Sequence, residues 1–460
     1  MKRIIYIVIL LLPVAVSAQE SWLKGSPLGY AWKTVGTVGF SAGMAIPANI
    51  ALNPSGEAYV AYGDGANSWK VSVMKFDGIQ WVYVGNAGLS DSLAGYLCFA
   101  LSPTTHEPYM AYSDWSKSKK VTVKKFDGTN WTTVGIAGIS AGEAMYLSIT
   151  FDSLGQPYVG YCDVVHYWHA TVVKYNGTSW VTVGNAGFSA SYVANTSLAF
   201  SPAGLLYIAY LDNAYDNKAV VMKFNGTNWV NVGNAGFSAG EADYTSLAFS
   251  PSGEPYVAYK DWGNSDKATV MRFDGSSWVN VGNAGFTADE AEYTDLIFNQ
   301  AGEPCVAFQD RSNSLKASVM KFDGTNWVYI GAAGFSAGGV NYTSIAFSQS
   351  GKMYAAYEDA ANSSKATVMK YDSVYVGLNE SQLSRLFLYL NPVTDKITVE
   401  TSGIPTQSQL SIVDVHGQQI ITRNFTEPKC NIDVSNLPCG VYFVRLMDDR
   451  MVQVGKFIKQ

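Results

Sequence analysis

The chain has 460 residues, with Lys+Arg 31 against Asp+Glu 37 (net charge −6), 48% hydrophobic, 13% aromatic and only 15% charged residues. So many aromatics and so little charge exclude a disordered chain, and an acidic balance with seven Arg excludes a partner bound through nucleic-acid phosphates. The length suits two or three domains, and 43 Gly beside 29 Tyr and 12 Trp point to strands and turns.

Lys2 and Arg3 precede an apolar run at 4–12, and Val16, Ser17 and Ala18 supply the small residues of a cleavage site. This order marks residues 1–18 as a secretory signal peptide, cleaved near Ala18 so that the mature chain starts near Gln19. The run falls short of the about 20 residues that span a bilayer. No later segment is long and apolar enough to cross one, so no transmembrane segment is expected in the mature chain.

Residues 19–377 repeat one unit, and Trp32, Trp81, Trp131, Trp180, Trp229, Trp278 and Trp327 recur in it at spacings of 49 or 50. In the copy YTSLAFSPSGEPYVAYKDWGNSDKATVMRFDGSSWVNVGNAGF, apolar alternation and turn residues mark four strands: A at 244–250, B at 256–260, C at 267–273 and D at 278–281. Four short antiparallel strands at this period are the signature of a β-propeller, here seven-bladed. A lone blade leaves both faces bare, so blades must stack until the ring closes. Strands A begin near Asn49, Leu97, Leu147, Thr196, Thr245, Thr294 and Thr343, and the Trp32 unit precedes them all. The N-terminal segment is therefore expected to supply strand D of the last blade, with 373–377 as the competing ending. Alternating strand directions put the D–A and B–C connections on one face, and the longer D–A links make it the face to bind a ligand.

Asp64, Asp114, Asp163, Asp212, Asp261, Asp310 and Asp359 end strand B, each followed six residues later by Lys70, Lys120, His169, Lys218, Lys267, Lys316 or Lys365. Such a pair either bridges the hairpin as an ion pair or leaves the Asp to cap the turn; present in every blade, it belongs to the framework. The Trp series and Phe40, Phe188, Phe237, Phe286 and Phe335 suit packing between blades.

Departures from the repeat are the candidates for binding. Trp69, Trp115, Trp168 and Trp262, with Tyr215, lie in B–C loops, where they can stack on sugars, anchor a protein or fold back over their own hairpins. Their unequal placement argues against a symmetric lectin with one sugar per blade. Glu241, Asp243, Asp289, Glu290 and Glu292 gather in the D–A links before blades five and six, and Asp295 replaces the Ser of blades three, four, five and seven. Carboxylates in that position serve as an acidic rim, or as the paired acids of a polysaccharide-active enzyme. His166 and His169 form an HxxH without the further ligands zinc needs, and no metal or cofactor is expected. No GxxxxGK[ST], HExxH or CxxC is present, and no GxSxG sits on a strand-to-helix elbow. The turn KFDGTNW resembles the Asp-box of sialidase propellers, but its spacing differs, and Arg272 and Arg311 are too few for that family's arginine triad. Cys98, Cys162 and Cys305 read as buried small hydrophobes, whereas the spacing of Cys430 and Cys439 across a turn allows a disulfide.

Beyond 377 the repeat stops; 378–387 is a polar linker, and 388–460 shows fresh strand alternation in LYLNPVTDKITV, LSIVDVHGQQI, IDVSNLPCGVYFVRL and KFIK. Asn391, Pro392, Asp395, Asp414, Gly417, Asp433, Leu437, Pro438, Gly440, Tyr442, Lys456 and Phe457 fall in the order of a family's motifs. The segment resembles the type A C-terminal sorting domain of the type IX secretion system of Bacteroidota, with Leu390 and Cys439 as departures. The resemblance implies a small β-sandwich handled by the type IX machinery, removed by a sortase-like peptidase, its cargo secreted or left on the outer cell surface.

The expected molecule is all-β: a seven-bladed propeller of four-stranded blades followed by a small β-sandwich sorting domain. Its expected function is non-catalytic binding or adhesion to a glycan or an extracellular protein. The alternatives are a glycosidase or lyase using acids of blades five and six, and a purely structural surface protein.

Overall fold

Strand B carries a near-continuous apolar run because both its faces are covered: every residue of Pro108–Asp114, Pro157–Asp163 and Leu206–Asp212 is buried. The computed structural model describes residues 29–374, 386–389, 391–401, 408–415, 417–425, 427–447 and 452–460. The signal peptide, linker positions 378–385 and Leu390 lie outside the described residues. Contacts divide the chain into Gly29–Val374 and a unit holding the C-terminal strands.

In blade five the strands are Ala242–Phe249 (A), Pro255–Asp261 (B), Lys267–Phe273 (C) and Trp278–Asn280 (D), hydrogen-bonded in that order. The C–D turn is fixed by Asp274, whose Oδ1 accepts the amides of Ser277 and Ser276; those bonds hold its carboxyl down at about 2. Strand A starts at Ala242, ahead of the expected Thr245, because a bulge hides its alternation. Between Asp243 and Ser246 the register shifts, so that Tyr244 and Thr245 together oppose Tyr259. Tyr244 adopts φ 53° there, and Tyr96, Tyr146, Asn195, Tyr293 and Tyr342 do the same in their blades, with φ from 47° to 55°.

The seven strands A touch in a closed cycle around the axis. Closure is made by Gly29–Thr34, which pairs antiparallel with Lys365–Val374 as the fourth strand of the last blade. Of the competing ending, Ser373 only lengthens strand C, and 375–377 lie outside the described residues. Every framework Trp donates its indole N–H to a carbonyl just past strand D of the preceding blade. Trp81 reaches Val35, Trp131 Val84, Trp180 Val134, Trp229 Val183, Trp278 Val232, Trp327 Val281 and Trp32 Ile330, at 2.7–2.8 Å. Phe40, Phe188, Phe237, Phe286 and Phe335 stack on Trp81, Trp229, Trp278, Trp327 and Trp32, with ring centroids 4.0–4.5 Å apart.

The Asp ending each strand B stands at the N-cap of a single 3-10 turn, without a side-chain cap bond at Asp163 and Asp310, and makes no ion pair with the facing Lys among the described residues. Asp64, Asp114, Asp212, Asp261 and Asp359 accept the amide two residues on. The second oxygen accepts a strand C hydroxyl, from Ser72, Thr122, Thr171, Thr269, Ser318 or Thr367, at 2.7–3.1 Å. That hydroxyl in turn accepts a glycine amide of the following D–A link, as Thr269 does from Gly285 at 2.8 Å. A buried carboxylate is better served by amides and hydroxyls that are already rigid than by a Lys that must leave water. Blade four has Val220 at the hydroxyl position, and burial pushes the Asp212 carboxyl up.

The C-terminal unit packs two sheets. Leu386–Tyr389, Lys396–Thr401 and Lys429–Asp433 form one; Gln419–Phe425, Ser408–Val413, Gly440–Met447 and Val452–Lys459 form the other. Ile397, Val399, Ile412, Ile432, Val444 and Phe457 fill the space between them. Cys430 and Cys439 are both free thiols. Cys430 packs at the edge of this core from mid-strand, whereas Cys439 is exposed at the approach to the next strand, so the two side chains face different surroundings.

Candidate functional site

The B–C connections are single 3-10 turns that set their aromatics at the rim. Trp115 and Trp262 open their turns, Tyr215 closes one, and Trp69 and Trp168 follow theirs at φ 60° and 61°. Trp115, Trp168 and Trp262 are exposed and Trp69 and Tyr215 half-buried; they come from five different blades, and no two of these rings stack among the described residues. Lys119 sits over Trp115 at 5.0 Å. Trp262 alone reaches the acids: its Nε1 donates to Asp243 Oδ2 at 2.9 Å, and Lys260 lies 5.6 Å from its ring.

The acids divide into three environments. Asp243 and Glu292 stand in strand A ahead of the bulge, not in the links. The buried Lys260 ammonium bridges Glu290 at 2.5 Å and Glu292 at 3.1 Å, and Arg311 takes the other oxygen of Glu290 at 2.5 Å. Lys260 in particular holds the Glu290 carboxyl below its usual range. Asp289 is exposed, its side chain accepting the Glu290 amide at 2.8 Å.

Asp295 is not a rim residue. It belongs to a belt on the channel-lining strands, where one blade's side-chain oxygen accepts the next blade's amide. Ser148 takes Leu198 N–H, Ser197 Leu247 and Ser246 Leu296, each at 3.0 Å; Asp295 Oδ2 takes Ile345 at 2.8 Å, and Ser344 takes Ile50 at 3.3 Å. Ser246 also donates to Asp295 Oδ1 at 3.3 Å, yet burial raises the carboxyl's pKa. A carboxyl with a raised folded pKa binds its proton more tightly when folded, so ionisation works against folding at neutral pH. Asp295→Ser is therefore expected to melt above the parent chain at about pH 7. That gap should shrink as pH falls towards the ordinary Asp value of 3.8, followed by thermal melts across pH. A lower melting point at every pH would contradict it.

His166 Nδ1 lies 2.8 Å from Asp163 Oδ2 in its own turn, and His169 Nδ1 lies 2.9 Å from the Ser189 carbonyl in the following D–A link. Among the described residues no group of three His, Cys, Asp or Glu is placed to hold a metal ion.

At the channel mouth, on the face of the D–A and B–C connections, lies a cavity of about 450 Å³. Its aromatic walls are Tyr146, Tyr192 and Tyr244, and its polar groups are Asn195, Asn217, Glu241 and Asp243. Asn195 Nδ2 donates to Asp243 Oδ1 at 3.3 Å. Burial raises the Tyr192 hydroxyl's pKa, and a hydrogen bond with Tyr146 adds to it; burial and the Glu292 charge do the same at Tyr244. Glu241 and Asp243 are the only two sequence candidates in this cavity. The tyrosines and asparagines were missed, although a signal exists: Pro47, Tyr96, Tyr146, Asn195, Tyr244, Tyr293 and Tyr342 recur every 49 or 50 residues.

In the C-terminal unit the motif residues do turn and edge work. Asn391 Nδ2 donates to the Lys456 carbonyl at 3.0 Å while its Oδ1 accepts Ile458 N–H at 2.9 Å, next to Pro392. Asp395 receives the Val434 amide at its carbonyl, and Asp433 Oδ1 caps Ser435. Asp414 Oδ1 accepts the Gln418 amide across Gly417, which takes φ 82°. Tyr442 donates to the Pro438 carbonyl at 2.9 Å, and Gly440 pairs with Lys459 at the sheet end.

Residues 388–460 match the family described as the secretion system C-terminal sorting domain. No curated protein sequence matches. Among solved structures the chain is similar to PorZ, a bacterial surface component of the type-IX secretion system of Porphyromonas gingivalis, at 14% identity and TM-score 0.46. That likeness covers 88% of this chain and 58% of PorZ, so the chain spans little more than half of PorZ's length. It is also similar to the Aleuria aurantia lectin (16% identity, 64% of this chain and 99% of that one, TM-score 0.43). An ulvan lyase is similar at 13% identity, over 76% of this chain and 96% of that one, with TM-score 0.48. A seven-bladed propeller and, at 388–460, a segment that matches the secretion system C-terminal sorting domain are thus joined in one chain.

Proposed function

We propose that the propeller is a secreted or cell-surface binding module, exported through the type IX route, that holds a glycan or an extracellular protein without chemical turnover. The ligand face is the one carrying the D–A and B–C connections. The observation that carries this reading is the cavity of about 450 Å³ on that face, where three tyrosines meet two amides and two carboxylates. Ligand pockets combine such apolar walls with a few convergent polar groups. Of the acids open to the enzymic alternative, Glu290 and Glu292 are neutralised by Lys260 and Arg311 and Asp295 joins blade to blade, which leaves it Glu241, Asp243 and Asp289.

Purified full-length chain applied to a glycan array and to a panel of extracellular matrix proteins tests the reading. Binding to at least one panel, weakened by Tyr244→Ala, is the expected outcome. Silence on both would leave the structural-protein alternative standing, and reducing-end release from polysaccharides lost in Glu290→Gln would replace binding with catalysis.

A further inference from the structure

The mouth of the channel is lined by one side chain per blade, set by the bulge of strand A. At that position five blades carry Tyr in the left-handed region, and blade four carries Asn195 in the same conformation, at φ 53°. The tyrosines run in contact where they are consecutive. Tyr96 and Tyr146 have centroids 5.0 Å apart, and Tyr244–Tyr293 and Tyr293–Tyr342 are each at 4.7 Å. The series breaks at Pro47 and at Asn195, and the cavity occupies the second break, between Tyr146 and Tyr244.

The chemistry of the break is selective. Two tyrosine rings flank it, surfaces suited to the C–H faces of a pyranose. Asn195 and Asn217 offer amides, and Glu241 has a carboxylate with no side-chain partner among the described residues. Carboxylates only accept, so they favour a ligand rich in hydroxyl donors. The only charged side chains lining the cavity among the described residues are Glu241 and Asp243, both acidic. A uronate or sulfate placed there would meet two like charges with no Lys or Arg in the lining to offset them.

We propose that the cavity at Asn195 is a subsite for one uncharged or aminated sugar residue and discriminates against acidic sugars. This rests on the glycan half of the function proposed above. The asparagine makes the room: the Tyr that five of the other six blades use would close the cavity, so blade four breaks the repeat where the ligand enters.

Binding of cellotetraose, mannotetraose, chitosan trimer and tetragalacturonate to the full chain, read by calorimetry, tests the subsite. At least one of the first three is expected to bind at least about tenfold more tightly than tetragalacturonate. Asn195→Tyr is expected to abolish that binding with an unchanged melting curve, since five blades accept Tyr at this backbone conformation. Glu241→Gln, which keeps the cavity's size, should narrow the preference over tetragalacturonate and identifies the subsite even if Asn195→Tyr fails to fold. Glycan binding that neither variant alters, or equal affinity for tetragalacturonate, overturns the subsite while leaving a glycan-binding propeller. Silence towards every sugar, on the array as well, overturns the subsite and the glycan reading together.

Discussion

Trp32→Ala is expected to cost the propeller about 3–5 kcal/mol of unfolding free energy, the range for removing a large aromatic from a packed site. Trp32 stacks on Phe335 at 4.0 Å and donates to the Ile330 carbonyl at 2.8 Å, and it sits on the strand that closes the ring. Both interactions join residues about 300 positions apart, so nothing local replaces them. A urea titration of the full chain, followed by tryptophan fluorescence with far-UV circular dichroism, measures the loss. Trp131→Ala is the fitting comparison, because Leu89 rather than a Phe packs against it and no stacked ring is lost. A Trp32 variant as stable as the parent chain would mean that the first strand does not hold the ring shut.

Removing 388–460 is expected to end export while leaving the propeller folded. The C-terminal unit has its own core of Ile397, Ile412, Val444 and Phe457, and the blades form a separate compact unit with cores of their own. In fractionated host cells the truncated chain should accumulate behind the outer membrane, and the intact chain should reach the medium or the surface. Its melting transition should match that of the propeller in the intact protein. Tyr442→Ala, which removes the hydroxyl bonded to Pro438, is the milder version of the same test. Surface delivery of the truncated chain would contradict the role of the tail.

Much of this architecture was legible in the residues, for a physical reason. A Trp that must reach across to the previous blade in every copy cannot drift from its spacing, so the 49- or 50-residue period and the position of the closing strand are both written in the Trp series. Strand C was equally plain: 267–273 alternates cleanly and is flanked by turns. Strand A was not, because the bulge at Tyr244–Thr245 breaks the two-residue alternation on which strand reading depends. That break placed Asp243 and Glu292 in links rather than strands, and it concealed the tyrosines of the channel mouth. Asp295 was misplaced for another reason. An acid in a polar position looks exposed in sequence, and only the neighbouring blade's amides reveal that it faces the next strand A. The scattered loop tryptophans drew attention by size, whereas the cavity depends on a smaller residue in place of a larger one, visible only once the blades are compared column by column.

Three thiols are shut inside separate blades: Cys98 half-buried, Cys162 and Cys305 buried, each pushed by burial up to about 12. Burial keeps such thiols protonated at neutral pH, and only the thiolate exchanges with disulfides. Once assembled, the blades are chemically deaf to an oxidising surrounding. Before assembly they are not, so the yield of correct molecules depends on a race between collapse of each sheet and adventitious pairing of its cysteine. The short hairpins of each blade favour collapse, since their contacts are close in sequence and form early.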